Sequence, residues 1–310
     1  MPDFLSVQVV LVFCNLNNFQ VTLAMNSYIE CLPCLGKNAV DAAKRSTDDP
    51  AIRQMIVQKA LELLAQSPLN MPPPYFAAQI LKIARQYAPA KDLYAEEKKR
   101  SNALAERMVA ELPNIREYIP GDFESGLRLA IAGNILDFGV YHDLNIERAM
   151  ESIRKTLTSP LDQNNVRRLK EKMDAAERIL YVLDNCGEAV FDRIFMEPYR
   201  HKITLAVRGC PVFNDVTADD LDDCGLKNFT AGWITSSEIG IPGTILREST
   251  DEFRTVYHNA DLIIAKGQGN FETMNENPES IAFLFLAKCP VVTRLLGAAT
   301  NSIQLILNNF

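Results

Sequence analysis

Beyond residue 178 the sequence alternates. Four short apolar runs, 179-ILYVL-183, 203-ITLAV-207, 262-LIIA-265 and 283-FLFL-286, are separated by longer amphipathic segments. Uninterrupted apolar runs of this length suit buried strands, and amphipathic stretches between them suit crossover helices. The alternation therefore implies a largely parallel sheet with helices packed on its faces, an α/β domain covering residues 176–310.

The preceding part reads differently. From residue 38 to about 157 nearly everything has helical periodicity, and residues 25–175 are expected to form an all-helical N-terminal region. Ile52, Met55, Ile56, Ala60, Leu63 and Leu64 recur at intervals of three and four, as one buried helical face requires. Asp48-Asp49-Pro50 supplies an acid near the positive helix end and a proline in the first turn. The proline-rich 71-MPPPY-75 is expected to stop that helix, because proline lacks an amide donor. Further helices are expected over 76–83, 92–112, 123–140, 145–157 and 165–176. The charged run at 96–100 reads as a solvated helix face, and Trp233 with the other aromatics as core. Residues 1–24 stand apart. Their apolar stretch 4-FLSVQVVLVFC-14 has no basic leader and no clean small-residue cleavage site, so it reads as a buried strand or as upstream sequence before a native start at Met25.

Composition narrows the function. A net charge of −7 and a pI near 5.2 argue against a nucleic-acid surface. No apolar run approaches the roughly 18 residues that span a bilayer, so no membrane partner is expected. Seven scattered cysteines in 310 residues are too few for a disulfide scaffold and suit a reducing compartment, here the cytoplasm.

In open α/β sheets ligands bind beyond the carboxyl ends of the strands, and three expected strands end in polar sets. Asp184 and Asn185 follow the first, and Glu188 begins the next helix; 208-RGCPVFNDVT-217 follows the second and brings Asn214 and Asp215 to a turn; Lys266, Gly267, Gln268, Gly269 and Asn270 follow the third. Carboxylate and amide oxygens are hard donors that prefer Mg²⁺ or Mn²⁺ to a thiolate metal. A lysine and a glycine turn beside them suit an anion. The combination describes a metal-assisted phosphate site.

The stretches 183-LDNCGEAVFD-192, 214-NDVT-217 and 260-ADLIIAKGQGNFE-272, with 131-IAGNILDFGV-140 and the opening 31-CLPCLGKNAVDAAK-44, closely resemble the metal-dependent damage-control phosphatases, a family long filed as domain of unknown function 89. The resemblance runs from about residue 26 to 297, and the Cys-x-x-Cys opening is typical of the family's prokaryotic branch. It implies a three-layer α/β/α domain behind a helical N-terminal region. It also implies phosphatase activity on sugar phosphates and other small, often damaged, phosphometabolites, with a divalent cation (Mn, Mg, Co or Ni) as cofactor. Carried over by position, Asp184, Asn185 and Asp215 are the implied metal ligands, and Lys266 the phosphate-binding lysine with Asn270 beside it. Glu188 lies near the substrate, Asn134 and Asp137 form a wall of the cleft, and Ser236 and Ser237 belong to a substrate loop.

Other readings stay open. Cys31 and Cys34 fit a reduced pair at a helix start, a redox pair or, with two further ligands, a zinc site. A methyltransferase using S-adenosylmethionine would suit a doubly wound sheet, but Asp184-Asn185-Cys186-Gly187 stands where its glycine-rich loop belongs. A non-catalytic protein that binds a metal or a sugar phosphate would use the same pocket. The sequence does not fix the substrate or the oligomeric state.

Overall fold

A computed structural model describes residues 25–88, 92–111, 122–136 and 146–310, and in it each of the four apolar runs is a strand. They are β1 (Ile179–Val182), β2 (Ile203–Val207), β4 (Leu262–Lys266) and β5 (Ile281–Ala287); two strands not foreseen, β3 (Gly232–Thr235) and β6 (Ser302–Asn308), close the sheet's two edges. The order is β3-β2-β1-β4-β5-β6, with every pair parallel except β5 and β6. Both missed strands are edges. β3 is short and half-exposed, with Trp233 at 45% exposure on the surface rather than in the core, and β6 alternates between buried and half-buried positions. Neither presents the continuous apolar run that a central strand needs.

The sheet is covered on both faces. One face carries Tyr181, Leu183, Leu205, Ile264 and Leu284. It packs against α5 (Asp122–Ala132), α7 (Gln163–Ala175) and α8 (Glu188–Met196). The other carries Leu180, Val182, Ile263, Phe283 and Phe285 under α9 (Asp251–Asn259), α10 (Gln268–Met274) and α11 (Pro290–Leu296). This is the three-layer α/β/α arrangement. Fully burying such side chains stabilises by about 1.5–3 kcal/mol each, and residues 281–287 of β5 are all buried. Helices α5 and α7 precede the change from helical to alternating pattern, yet they belong to this sandwich.

Three further helices, α1 (Cys31–Ser46), α2 (Pro50–Gln66) and α3 (Pro73–Arg85), build separate apolar clusters of their own. α4 (Ala95–Ala110) and α6 (Ile146–Leu157) share another with α8. Asp49 caps α2 as the sequence suggests, accepting the N–H groups of Ala51 and Ile52. The proline run acts otherwise than expected. α2 already ends at Gln66, and Pro73 and Pro74 form the first turn of α3, where a missing N–H is harmless. The charged run at 96–100 is not wholly solvated either. Lys98 is 1% exposed and lies between Asp92 and Asp220, at 2.9 and 2.8 Å. Among the described residues no helix is long and apolar enough to cross a membrane.

The chain winds from β1 outward through β2 and β3, then returns to the other side of β1 for β4 and β5. The direction therefore reverses between β1 and β4, and in open α/β sheets the carboxyl ends at such a reversal are where the ligand crevice lies.

Candidate functional site

The crevice is lined by the segments that leave the carboxyl ends of β1, β2 and β4. Beyond β1 the backbone is pinned to its neighbour: Val216 N–H donates to the Asp184 carbonyl at 2.9 Å, Cys186 N–H donates to the Asn214 carbonyl at 2.8 Å, and Asn185 and Asp215 face each other in an antiparallel bridge. These bonds bring Asp184, Asn185 and Asp215 together, as the sequence suggested. Asn185 Nδ2 donates to Asp184 Oδ2 at 2.8 Å, and Asn134 Nδ2 reaches the same oxygen at 3.3 Å.

The turn into α8 is held from the helical region. Gly187 has φ +81°, a conformation natural to glycine. Its N–H donates to Asn102 Oδ1 at 2.6 Å, and Ser101 Oγ donates to the Cys186 carbonyl at 3.1 Å. Both partners lie on α4. Nothing in the sequence around Ser101 and Asn102 marks them, because their role depends on which helix the fold sets against the turn.

Across the crevice, Gly267 links β4 to α10 at φ +79°, ψ 157°. It sits directly against the Asp184 carboxylate, leaving no room for a side chain. Asn270, fully buried, donates from Nδ2 to the Lys266 carbonyl at 2.7 Å. Its Oδ1 accepts from Thr244 Oγ1 at 3.0 Å and from the Arg208 guanidinium at 3.3 Å. Gly269 packs against the Pro242 carbonyl. The Gln268 side chain turns away from the acids: Nε2 donates to Glu272 at 2.7 Å, and Oε1 accepts the N–H groups of Lys288 and Cys289. Ser236 and Ser237 are buried just past β3, where Ser236 N–H donates to the Val207 carbonyl and Ser237 Oγ to the Ile239 carbonyl. They flank the β2 side of the crevice. Asp137 lies outside the described residues.

Lys266 is paired inside the protein. It is 0% exposed, and its ammonium donates to Glu188 Oε1 and Asp192 Oδ1, each at 2.6 Å, and to the Ala130 carbonyl at 2.9 Å. Three donors meet three protein acceptors, so to touch a phosphate it would have to leave one of them. Burial works against the Lys266 charge, but Asp192 and Glu188 outweigh it and hold the ammonium above its ordinary range. Two acids then share one cation. Burial, helped by Glu188, pushes the Asp192 carboxyl up to about 7 despite the lysine. Asp192 Oδ2 is buried without a hydrogen-bond partner among the described residues, which adds to the cost of its charge. Tyr181 Oη also donates to Asp192 Oδ1, at 2.9 Å. Glu188 in turn accepts from Asn134 Nδ2 at 2.6 Å. The lysine thus acts on Asp184 through Glu188 and Asn134. Asp192 escaped the sequence reading, although its spacing of four from Glu188 puts both on one face of α8.

Arg208 is the second residue missed. It follows the β2 run directly and is 2% exposed; Nε donates to Asp215 Oδ2 at 2.7 Å and the guanidinium lies 3.7 Å from Asp184 Oδ1. It also donates to the Gly243 carbonyl at 2.8 Å.

Chemically, two carboxylates and an amide on linked strand tips make a small oxygen-donor set of the kind that suits a hard divalent cation. Asn214 Nδ2, next in the chain to Asp215, is buried with no partner among the described residues, and as an N–H donor it suits an anion such as a phosphate oxygen. Among the described residues no group of three or more His, Cys, Asp or Glu side chains gathers as a metal site would. The amide of Asn185 would therefore be needed to complete one at this place.

Residues 27–303 match the family model described as the damage-control phosphatase ARMT1-like domain. A damage-control phosphatase of Pyrococcus horikoshii is 34% identical over 292 residues, spanning 92% of this chain and 99% of its own length. One of Archaeoglobus fulgidus is 31% identical over 279 residues, 86% of this chain and 94% of its own. The crystal structure of a DUF89 family protein from P. horikoshii superposes with a TM-score of 0.80 at 32% identity, covering 92% of this chain and 99% of that one.

Proposed function

The chain belongs to the damage-control phosphatase family with an ARMT1-like domain, and from that membership we propose that it hydrolyses phosphate esters of small metabolites, sugar phosphates or damaged phosphometabolites, with a divalent cation. The observation that carries the metal half is the junction of β1 and β2, where backbone bonds fix Asp184, Asn185 and Asp215 side by side. Those three side chains would hold the cation, which supplies Lewis-acid stabilisation of the charge on the phosphoryl oxygens.

The chain's own residues do the rest. Asp184 is set by Asn185 and Asn134, so its carboxylate is oriented before any ligand arrives. Arg208 adds a permanent positive charge beside both acids. Gly267, lacking a side chain, lets the Asp184 carboxylate lie against the turn into α10. Glu188 is buried and held by Lys266 and Asn134, so it fixes the amide that reaches Asp184; a place near the substrate is assigned to it on the family resemblance alone. Ser236, Ser237 and Asp137 are assigned to the substrate side on the family resemblance alone. A reducing cytoplasm is proposed from cysteine usage; the six described cysteines are all free thiols.

Phosphate release from an aryl phosphate, measured after chelation and again with Mn²⁺, Mg²⁺, Co²⁺ or Ni²⁺ restored, tests the proposal. Turnover that returns only with a divalent ion is the expected result. Metal-independent turnover, or none under any condition, overturns it. A panel of sugar phosphates then orders the substrates.

A further inference from the structure

Arg208 stands beside both acids, and its surroundings say what its charge does there. Its backbone is fixed by a bond from its N–H to the Val216 carbonyl at 2.8 Å, which sets the side chain at the end of β2. The guanidinium is held by Asp215 at 2.7 Å, by the Gly243 carbonyl at 2.8 Å, and by Thr244 Oγ1 and Asn270 Oδ1 at 3.3 Å. Its longest polar contact is to Asp184, at 3.7 Å. An arginine does not lose its proton in a protein, so this is a fixed charge in a largely water-excluded place.

The charge count gives that fixed charge a consequence. Asp184 and Asp215 together carry two negative charges, and Arg208 cancels one. Lys266 adds no surplus, because Glu188 and Asp192 face it, so the count is taken over Asp184, Asp215 and Arg208 alone. Before a divalent ion binds, the cluster is negative by one. Afterwards it is positive by one, and a phosphoester dianion meets net attraction. Without Arg208 the empty cluster would be negative by two and the loaded cluster neutral. The metal would then be held more tightly and the anion more weakly.

We propose that Arg208 is a positioning and charge-setting residue: it holds Asp215 and Asp184 in place without a metal, weakens the grip on the divalent ion, and makes the loaded site attractive to the phosphate. This role rests on the metal-dependent reading of the site. The opposite signs of the two effects distinguish it from a purely structural role, which would weaken both ligands together. A unit charge a few ångströms away, at an effective dielectric of about 20, is large enough to move each affinity at least tenfold.

The test is calorimetric titration of the whole chain with Mn²⁺, then of the Mn²⁺-loaded protein with inorganic phosphate, for the wild type, Arg208→Gln and Arg208→Lys. The glutamine variant is expected to bind Mn²⁺ at least tenfold more tightly and phosphate at least tenfold more weakly. The lysine variant keeps the charge but not the planar fork, so both affinities should lie closer to wild type than those of the glutamine variant. Unchanged affinities in the glutamine variant, or a loss of both, overturn the proposal while leaving the metal reading standing. No Mn²⁺ binding by the wild type overturns the metal reading and this inference with it. If Arg208→Gln folds only when Mn²⁺ is added, the ion is replacing the missing charge, as proposed. If it folds under no condition, Arg208 belongs to the fold alone and the proposal is overturned.

Discussion

Replacing Gly267 with alanine perturbs the crevice at its tightest point. A Cβ on residue 267 would stand 2.7 Å from Asp184 Oδ1 and closer still to Cγ and Oδ2, whereas ordinary contacts begin at 3.4 Å. The backbone there, at φ +79° and ψ 157°, lies in a region that is essentially glycine's own. Holding alanine in it costs about 1–3 kcal/mol. For a chain of this length that corresponds to a fall in Tm of about 2–5 °C. The clash adds a second effect, since relief requires the Asp184 carboxylate or the start of α10 to move by more than an ångström. Displacing a catalytic group by that much lowers turnover by about a hundredfold. Gly232→Ala is the matched control, because a Cβ there meets nothing within 4 Å. Thermal denaturation and phosphate release, measured on both variants, are the assays. Gly267→Ala with wild-type Tm and wild-type turnover would show that the tips of β1 and β4 do not meet at this glycine.

Two further substitutions test the buried charges. Burial raises the Glu272 carboxyl from 4.5 to about 7, so the native state holds that proton more tightly than the unfolded chain. Its stabilising contribution is complete below about pH 4.5 and is lost as pH rises through 7. Glu272→Gln keeps an acceptor for Gln268; it should match wild type near pH 4.5 and exceed it at pH 8 by up to about 3 kcal/mol, and a stability gap that does not change with pH would contradict this. Lys266→Met leaves Glu188 and Asp192 without their cation and should destabilise by about 3–5 kcal/mol, partly recovered by adding Asp192→Asn. Wild-type stability in the single variant would mean that the lysine is not the interior counter-ion.

The parts of this protein that could be read from sequence are those with local causes. Central strands announce themselves because burial on both faces demands an unbroken apolar run, and Asp184, Asn185 and Asp215 were found because strand ends are where such folds place ligands. The edge strands were missed because β3 is half-exposed and β6 alternates. Arg208 stands at the head of the polar stretch after β2, yet only the fold shows that it faces two acids, one of them from a neighbouring strand. Lys266 was identified, but its partners Asp192 and the Ala130 carbonyl sit on α8 and α5, too far away in sequence to be paired with it by spacing. Ser101 and Asn102 carry no local sign at all, since tertiary contact alone gives them the turn at Gly187. Secondary structure and strand ends are local properties; charge pairing across elements is not.

The central claim is that Asp184, Asn185 and Asp215 form one oxygen-donor site for a divalent ion on which phosphate release depends. Asp184→Asn measures this most directly, because it removes one charge while keeping size and shape. Mn²⁺ affinity and Mn²⁺-dependent phosphate release should both be lost, with circular dichroism and Tm close to wild type. A variant that binds Mn²⁺ and releases phosphate as the wild type does would contradict the claim.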